Sequence, residues 1–237
     1  MSRGPIVRVR RIRGEDPHAE RREALAAVTP FLGLVRAPLY PSSPSPTGKE
    51  LVVATYNVHR WTGSGSSTRG PDAERASFVI SELGADVLAL QEVVRPFSGE
   101  DPLVRLADQL RLHVAFVTTR IHRPGELVAT HLAIVDRTRH RQVRHLLDHP
   151  NLQGPVILLG DMNMWRTNDK ATRALEAELP THSEIDWPAS FPAARPVLAL
   201  DRIYARGAKV LEVRAHQSPA ARRASDHLPV VARVSLL

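Results

Sequence analysis

Val156-Ile-Leu-Leu-Gly-Asp-Met-Asn163 is a short apolar run that ends in two polar residues. The run lies between a Gly-Pro turn and Gly160, which is typical of a buried strand. A strand that continues into Gly-Asp-x-Asn places Asp161 and Asn163 on one side of the chain, because side chains alternate along a strand. An Asx turn gives a similar pattern, so this stretch alone leaves a functional and a turn-forming interpretation open.

On both sides of this run, other β-branched or leucine-rich runs alternate with helical patterns, which predicts an α/β architecture. The predicted strands cover residues 51–56, 87–90, 113–117, 127–130, 156–159, 199–204, 210–214 and 228–234. The predicted helices cover residues 73–83, 103–110 and 138–147, and a weaker helical pattern at residues 19–36 is interrupted by Pro30.

The chain has 237 residues, of which 43% are hydrophobic, and this suits one globular domain. Pro41-Ser-Ser-Pro-Ser-Pro-Thr-Gly48 cannot join a sheet and is typical of a linker. We therefore expect a basic N-terminal arm and Pro/Ser-rich linker at residues 1–49 and a single folded domain at residues 50–237.

The formal net charge of +7 is concentrated in the arm, where nine Lys and Arg face four Asp and Glu. Two interpretations stay open: a solvated arm, or a segment that contacts nucleic acid or an anionic lipid surface. Residues 50–237 carry only +2, which slightly disfavours a dedicated nuclease.

The chain contains no cysteine, so any bound metal must be held by carboxylate, amide or imidazole groups. No apolar stretch is long enough to span a bilayer, and the N-terminus lacks the apolar core of a signal peptide. These features lead us to expect a cytoplasmic protein without an integral membrane segment.

Polar residues lie at the ends of six predicted strands, where a rigid sheet can present them to one cleft. They are Asn57, Glu92, His131, Asp161 with Asn163, Asp201, and Asp226 with His227. Singly, each has a plainer explanation: Glu92 as a solvated strand end, Asn57 as a turn former, His131 as a strand cap. Together, the carboxylates suit Mg²⁺ and the histidines supply proton donors, which is the chemistry that phosphoester hydrolysis needs.

The order of these motifs carries a resemblance to a known family. Thr55-Tyr-Asn-Val58, Leu90-Gln-Glu-Val93, Thr130-His-Leu132, Leu159-Gly-Asp-Met-Asn163, Leu200-Asp-Arg-Ile203 and Ser225-Asp-His-Leu-Pro229 together resemble the endonuclease/exonuclease/phosphatase superfamily, also called DNase I-like, across residues 51–237. The resemblance implies a four-layer α/β sandwich, in which two packed, mainly antiparallel sheets are flanked by helices. It also implies a Mg²⁺-dependent hydrolase, with Mn²⁺ as an alternative ion, that acts as a phosphodiesterase, nuclease or phosphatase.

The resemblance further implies a role for each residue. Glu92 and Asp226 would hold the metal, with Asn57 beside it, and Asp161 would orient or deprotonate the attacking water. Asn163 would hold the phosphoryl group. His227 paired with Asp201 would stabilise the charge of the transition state, and His131 would act from the opposite side. The implied substrate is a nucleic acid, a phospholipid head group or a sugar phosphate.

The sequence departs from the family between Glu92 and His131, which are only 39 positions apart. Relatives have a longer segment with additional strands there, so we expect an exposed sheet edge near residues 121–125 and reduced activity. The competing hypothesis is consequently a truncated, weak or inactive relative that binds nucleic acid or anionic lipid.

Overall fold

The structure is a computed structural model that describes residues 50–64, 72–94, 100–112, 126–148, 154–166, 169–180 and 185–237. The strands are β1 (Glu50–Asn57), β2 (Val87–Gln91), β3 (Glu126–His131), β4 (Val156–Asp161), β5 (Asp201–Arg206), β6 (Ala208–Ala215) and β7 (Val230–Leu236). The helices are α1 (Ala73–Ser81), α2 (Pro102–Leu110), α3 (Asp136–Leu147), α4 (Lys170–Glu178) and α5 (Ala221–Ala224), and a 3₁₀ turn covers His59–Trp61. The predictions for the arm, the linker, the 19–36 helix, the 113–117 strand and the 121–125 turn lie outside the described residues.

The strands form two sheets, with the orders β2-β1-β7-β6 and β3-β4-β5. Both sheets are mixed, because β1 pairs with β2 and β3 pairs with β4 in parallel, while the other three pairs are antiparallel. Among the described strands, β2 and β3 each end a sheet. Residues 113–125, which lie between β2 and β3 in the chain, are outside the described residues. The expected exposed sheet edge near residues 121–125 therefore stays a prediction.

Side chains of β4 alternate between two cores, which gives the molecule its layers. Ile157 and Leu159 pack with Val53, Val230 and other residues of the first sheet. Val156 and Leu158 point the other way, into a core that includes residues of α3 and α4. A third cluster joins α1 and α2 to the outer side of the first sheet. The predicted four-layer sandwich of helix, sheet, sheet and helix is confirmed.

Aspartate caps begin three of the helices. The side chains of Asp72, Asp101 and Asp169 each accept a hydrogen bond from the second backbone amide of α1, α2 and α4, which satisfies a donor that the helix leaves unpaired. The sequence patterns missed α4, whose buried residues are Ala171, Thr172 and Leu175. No helix among the described residues has the length and apolarity that crossing a membrane requires.

Candidate active site

The pairing of the strands brings the polar strand ends to one edge of the sandwich. In the second sheet, Asp161 is in register with His131 across the parallel pair and with Asp201 across the antiparallel pair. In the first sheet, Asn57 is in register with Gln91, which precedes Glu92. Because β7 runs antiparallel to β1, the segment before Val230 also reaches this edge, and that segment contains Asp226 and His227.

The Oδ2 oxygen of Asp161 is the centre of the site. It accepts a hydrogen bond from Nδ2 of Asn57 at 3.2 Å and lies 3.5 Å from Nε2 of His131 and 3.7 Å from Nε2 of His227. The side chain of Asp161 is 2% exposed, whereas that of His131 is 37% exposed. A buried carboxylate oxygen thus faces three nitrogens that come from both sheets.

Burial and the nearby Asp201 raise the pKa of Asp161 to about 6, although His227 and His131 act in the opposite direction. A carboxylate whose pKa lies close to neutral accepts and releases a proton readily, which suits a general base.

Gly160 permits the close approach of the two strands that carry His131 and Asp161. Its φ is +154°, and a Cβ atom built on it would lie 1.8 Å from the backbone oxygen of Thr130. Only glycine fits there, because any side chain would collide with the backbone of β3.

Asn163 adopts a left-handed conformation (φ 50°) directly after this strand. Its backbone N–H donates to Oδ1 of Asp161 at 3.0 Å, and its Nδ2 donates to the backbone oxygen of Leu132 at 2.9 Å. The turn-forming interpretation of Gly-Asp-x-Asn is therefore correct, and the same turn places Asp161 in the site. The role of Asn163 toward a phosphoryl group stays a prediction.

His227 and Asp201 form a buried pair. Nδ1 of His227 donates to Oδ2 of Asp201 at 2.8 Å, and Ser190 Oγ donates to the same oxygen at 2.6 Å. Burial, the largest influence on the His227 pKa, lowers it. The neighbouring Asp201, Asp161 and Asp226 together raise the pKa by more than burial lowers it, so the pKa of His227 is about 9. The imidazole is accordingly held with its Nε2 side toward Asp161.

Glu92 and Asp226 are connected through Asn57 and His59. Nδ2 of Asn57 donates to Oε1 of Glu92 at 3.2 Å, and Oδ1 of Asn57 accepts from the backbone N–H of His59 at 3.0 Å. The His59 ring lies with its Nδ1 3.5 Å from Oδ1 of Asp226. All eight residues that the sequence analysis singled out therefore belong to one set of contacts at one edge of the sandwich.

The donor set fits a hard divalent cation. Glu92 and Asp226 are partly exposed carboxylates whose oxygens keep unused lone pairs. A second set, Asp161, Asp201 and His227, has ligating atoms within 4.8 Å of one another. Oδ2 of Asp201 already accepts two hydrogen bonds, whereas Oδ1 of Asp201 is buried without a hydrogen-bond partner among the described residues. His227 donates through Nδ1 and turns Nε2 toward Asp161. This second set therefore also keeps atoms that are free to ligate an ion.

Four further residues shape the site, and the sequence patterns predict no role for them. Ser190 supports Asp201, while Ser225 Oγ donates to the backbone oxygen of Asn57 at 2.7 Å and joins two of the site loops. His59 approaches Asp226, and Nε of Arg60 lies 3.5 Å from Oε2 of Glu92. Ser225 is the first residue of a motif already quoted, and His59 adjoins another. Ser190 has no local signal, because its contact with Asp201 depends on the tertiary fold.

Comparisons with known proteins agree with this architecture. A family model described as Endonuclease/Exonuclease/phosphatase family matches residues 69–227, whereas no curated protein matches the sequence.

Several solved structures are similar in fold. An endonuclease/exonuclease/phosphatase from Beutenbergia cavernae DSM 12333 is 22% identical with a TM-score of 0.57, and the match covers 79% of this chain and 72% of that one. A functionally unknown conserved protein from Enterococcus faecalis V583 is 16% identical with a TM-score of 0.59, covering 79% and 100%. A humanized D. rerio TDP2 is 15% identical with a TM-score of 0.56, covering 79% and 100%. With the family model matching about two thirds of its length, this chain belongs to the endonuclease/exonuclease/phosphatase family.

Proposed function

We propose that this protein hydrolyses a phosphate ester in a divalent-metal-dependent reaction, using a water that Asp161 orients or deprotonates. The position of Asp161 Oδ2 between Asn57, His131 and His227 is the observation that carries this proposal. A buried carboxylate with a raised pKa and donors on several sides suits a group that positions a water and takes its proton.

Glu92 and Asp226 are the proposed metal ligands. Asn57 lies between Glu92 and Asp161, because its Nδ2 donates a hydrogen bond to each carboxylate. Members of this family generally use divalent metals, and Mg²⁺ is the ion we propose, with Mn²⁺ as an alternative. When bound, such an ion supplies charge neutralisation at the phosphoryl oxygens. Asn57 Oδ1 already accepts from His59, which leaves one lone pair for a further contact.

His227 serves as a donor to the phosphoryl oxygens in this proposal. Asp201 fixes the ring through Nδ1, so Nε2 is the nitrogen that faces the reacting group. His131, more exposed and on the other side of Asp161, contacts the leaving oxygen, and Asn163 holds the phosphoryl group.

The substrate class is the finer part of the proposal. Nucleic acid, phospholipid head groups and sugar phosphates all present a phosphate ester to such a site. One similar solved structure is D. rerio TDP2 complexed with single strand DNA product, at 14% identity and a TM-score of 0.54. This likeness supports a nucleic-acid substrate only through the fold. The competing proposal remains a weak or inactive relative that binds an anionic polymer or lipid.

Two substitutions separate metal binding from water activation, with bis-p-nitrophenyl phosphate as substrate. Glu92→Gln should raise the Mg²⁺ concentration that gives half-maximal activity, because it removes a ligand charge. Asp161→Asn should lower kcat at saturating Mg²⁺ by about 100-fold or more, because it removes the base. Glu176→Gln, on the exposed side of α4, is the matched control and should change neither quantity.

Full activity in both site variants would refute the proposed roles. Binding of an anionic ligand without turnover at saturating Mg²⁺ and Mn²⁺ would instead favour the competing proposal.

A further inference from the structure

Two loops of the site expose large apolar side chains. Ile134 and Val135 are 66% and 63% exposed and follow His131 by three and four residues. Trp165 is 39% exposed and follows Asn163 by two residues. Since consecutive Cα atoms are about 3.8 Å apart, each of these residues lies within roughly 8 to 15 Å of a site residue along the chain. We call Ile134, Val135 and Trp165 the apolar rim.

A buried arginine joins the two loops of the apolar rim. The guanidinium of Arg139 donates from Nη1 to the backbone oxygens of Ala133 at 3.0 Å and Ile134 at 2.7 Å. Its Nε donates at 3.0 Å to Oδ2 of Asp169, the residue that caps α4. The side chain of Arg139 is fully buried, so these bonds fix the first loop relative to the second.

The same guanidinium lies against the indole of Trp165. Its Cζ is 5.1 Å from the ring centroid, within the range of a cation–π contact. Because several hydrogen bonds hold Arg139, this contact restrains the position of the ring. A positioned aromatic ring loses little conformational freedom on binding, which favours affinity.

The charge around the apolar rim does not oppose an anionic ligand. Asp136 is the acidic residue nearest to it in sequence, and it pairs with Arg139 and with Nη1 of Arg166, the latter at 3.2 Å. The Asp136 carboxylate is therefore paired with two guanidinium groups.

We propose that the apolar rim is a subsite that binds a flat aromatic group attached next to the scissile phosphate, with Trp165 as the stacking surface. The inference rests on the proposed phosphoester site and adds the chemistry of its substrate. A nucleobase and a phenol-type group share this chemistry, and the experiment separates them.

Binding to the full chain with Mg²⁺, measured by calorimetry, tests the subsite without turnover. Phenylphosphonate and methylphosphonate carry the same phosphonate group and differ in the ring. Wild type should bind phenylphosphonate about tenfold more tightly, and Trp165→Ala should remove this preference while leaving methylphosphonate affinity unchanged. Trp165→Phe keeps a flat ring and should retain most of the preference, whereas a double change of Ile134 and Val135 to Ser should reduce it partially.

Equal affinity of wild type for the two phosphonates, or an equal loss for both in Trp165→Ala, would overturn the subsite. A thymidine phosphonate provides the second arm: a larger Trp165-dependent gain than with phenylphosphonate assigns the subsite to a nucleobase, and a smaller gain assigns it to a phenol-type ring. A ring preference without any hydrolysis would refute the proposed function but support the subsite. Hydrolysis without a ring preference would support the proposed function and overturn the subsite.

Discussion

Nδ1 of His227 donates to Oδ2 of Asp201 across 2.8 Å, and both side chains are buried. The carboxylate thereby selects the imidazole tautomer, or the imidazolium, whose Nε2 faces Asp161. Residues that orient a functional side chain by a hydrogen bond generally affect the reaction strongly although they touch no substrate.

Asp201→Asn should lower kcat for bis-p-nitrophenyl phosphate by about 100-fold or more, because an amide neither fixes the tautomer nor stabilises an imidazolium. Steady-state kinetics at saturating Mg²⁺ measure this effect. Ser190→Ala, which removes only the hydroxyl donor to the same oxygen, should cost less. A kcat of wild-type size in Asp201→Asn would show that His227 needs no orienting partner.

Stability of the metal-free protein should fall as the pH rises above neutrality. The pKa of His227 is raised to about 9, so its charged pairing with Asp201 stabilises the fold fully below about pH 6.5 and is lost as the pH rises through 9. The loss should be at most about 3 kcal/mol. Urea unfolding in EDTA between pH 6.5 and 9.5 measures it. Asp201→Asn should flatten this slope, and an already flat wild-type profile would contradict the assignment.

Asp169→Asn should destabilise the protein by about 3 to 5 kcal/mol, because it leaves the buried Arg139 without its buried carboxylate partner. Denaturant unfolding measures the loss. Asp136→Asn is the matched control, since that carboxylate is half exposed and its loss should cost about 1 kcal/mol or less. Similar losses in the two variants would show that burial of the Arg139–Asp169 pair is unimportant.

Gly160→Ala should destabilise the protein by about 3 kcal/mol or more, because the new methyl group meets the backbone oxygen of Thr130. Gly84→Ala is the comparison, since Gly84 also has a positive φ (+58°) but no atom within 4 Å of the added carbon. Its cost should be about 1 kcal/mol, from backbone strain alone. Equal costs in thermal or denaturant unfolding would mean that the two strands separate easily.

Strong local patterns made much of the fold predictable. The apolar run before Gly160 and the alternation of strand and helix patterns predicted the described strands and three of the helices within a few residues of their observed ends. Among the described strands, three pairs are antiparallel and two are parallel. The local sequence did not show these directions, because strand direction depends on how distant segments meet. Helix α4 was missed, and its buried face holds one large apolar residue, Leu175, beside Ala171 and Thr172.

The eight candidate site residues could be singled out from the sequence because each lies at a strand end or within four residues of one. The strand pairing brings those ends together. Their supporting residues were harder to find. Ser190 and Arg139 act through contacts with Asp201 and Asp169, and nothing in the sequence around a serine or an arginine shows such a partner. The apolar rim likewise depends on the exposure of Ile134, Val135 and Trp165, which is a property of the folded chain.

The site draws Asn57, Glu92 and Asp226 from the first sheet and its loops, and His131 and Asp161 from the second. The thickness of the apolar layer between the sheets, where Ile203 and Val230 lie, therefore sets the spacing of the groups that the proposed reaction brings to one phosphorus atom. A substitution that removes a methyl group from that layer should change the position of the site residues of one sheet relative to those of the other. The rate of the proposed reaction should thus depend on interior packing as well as on the polar residues themselves.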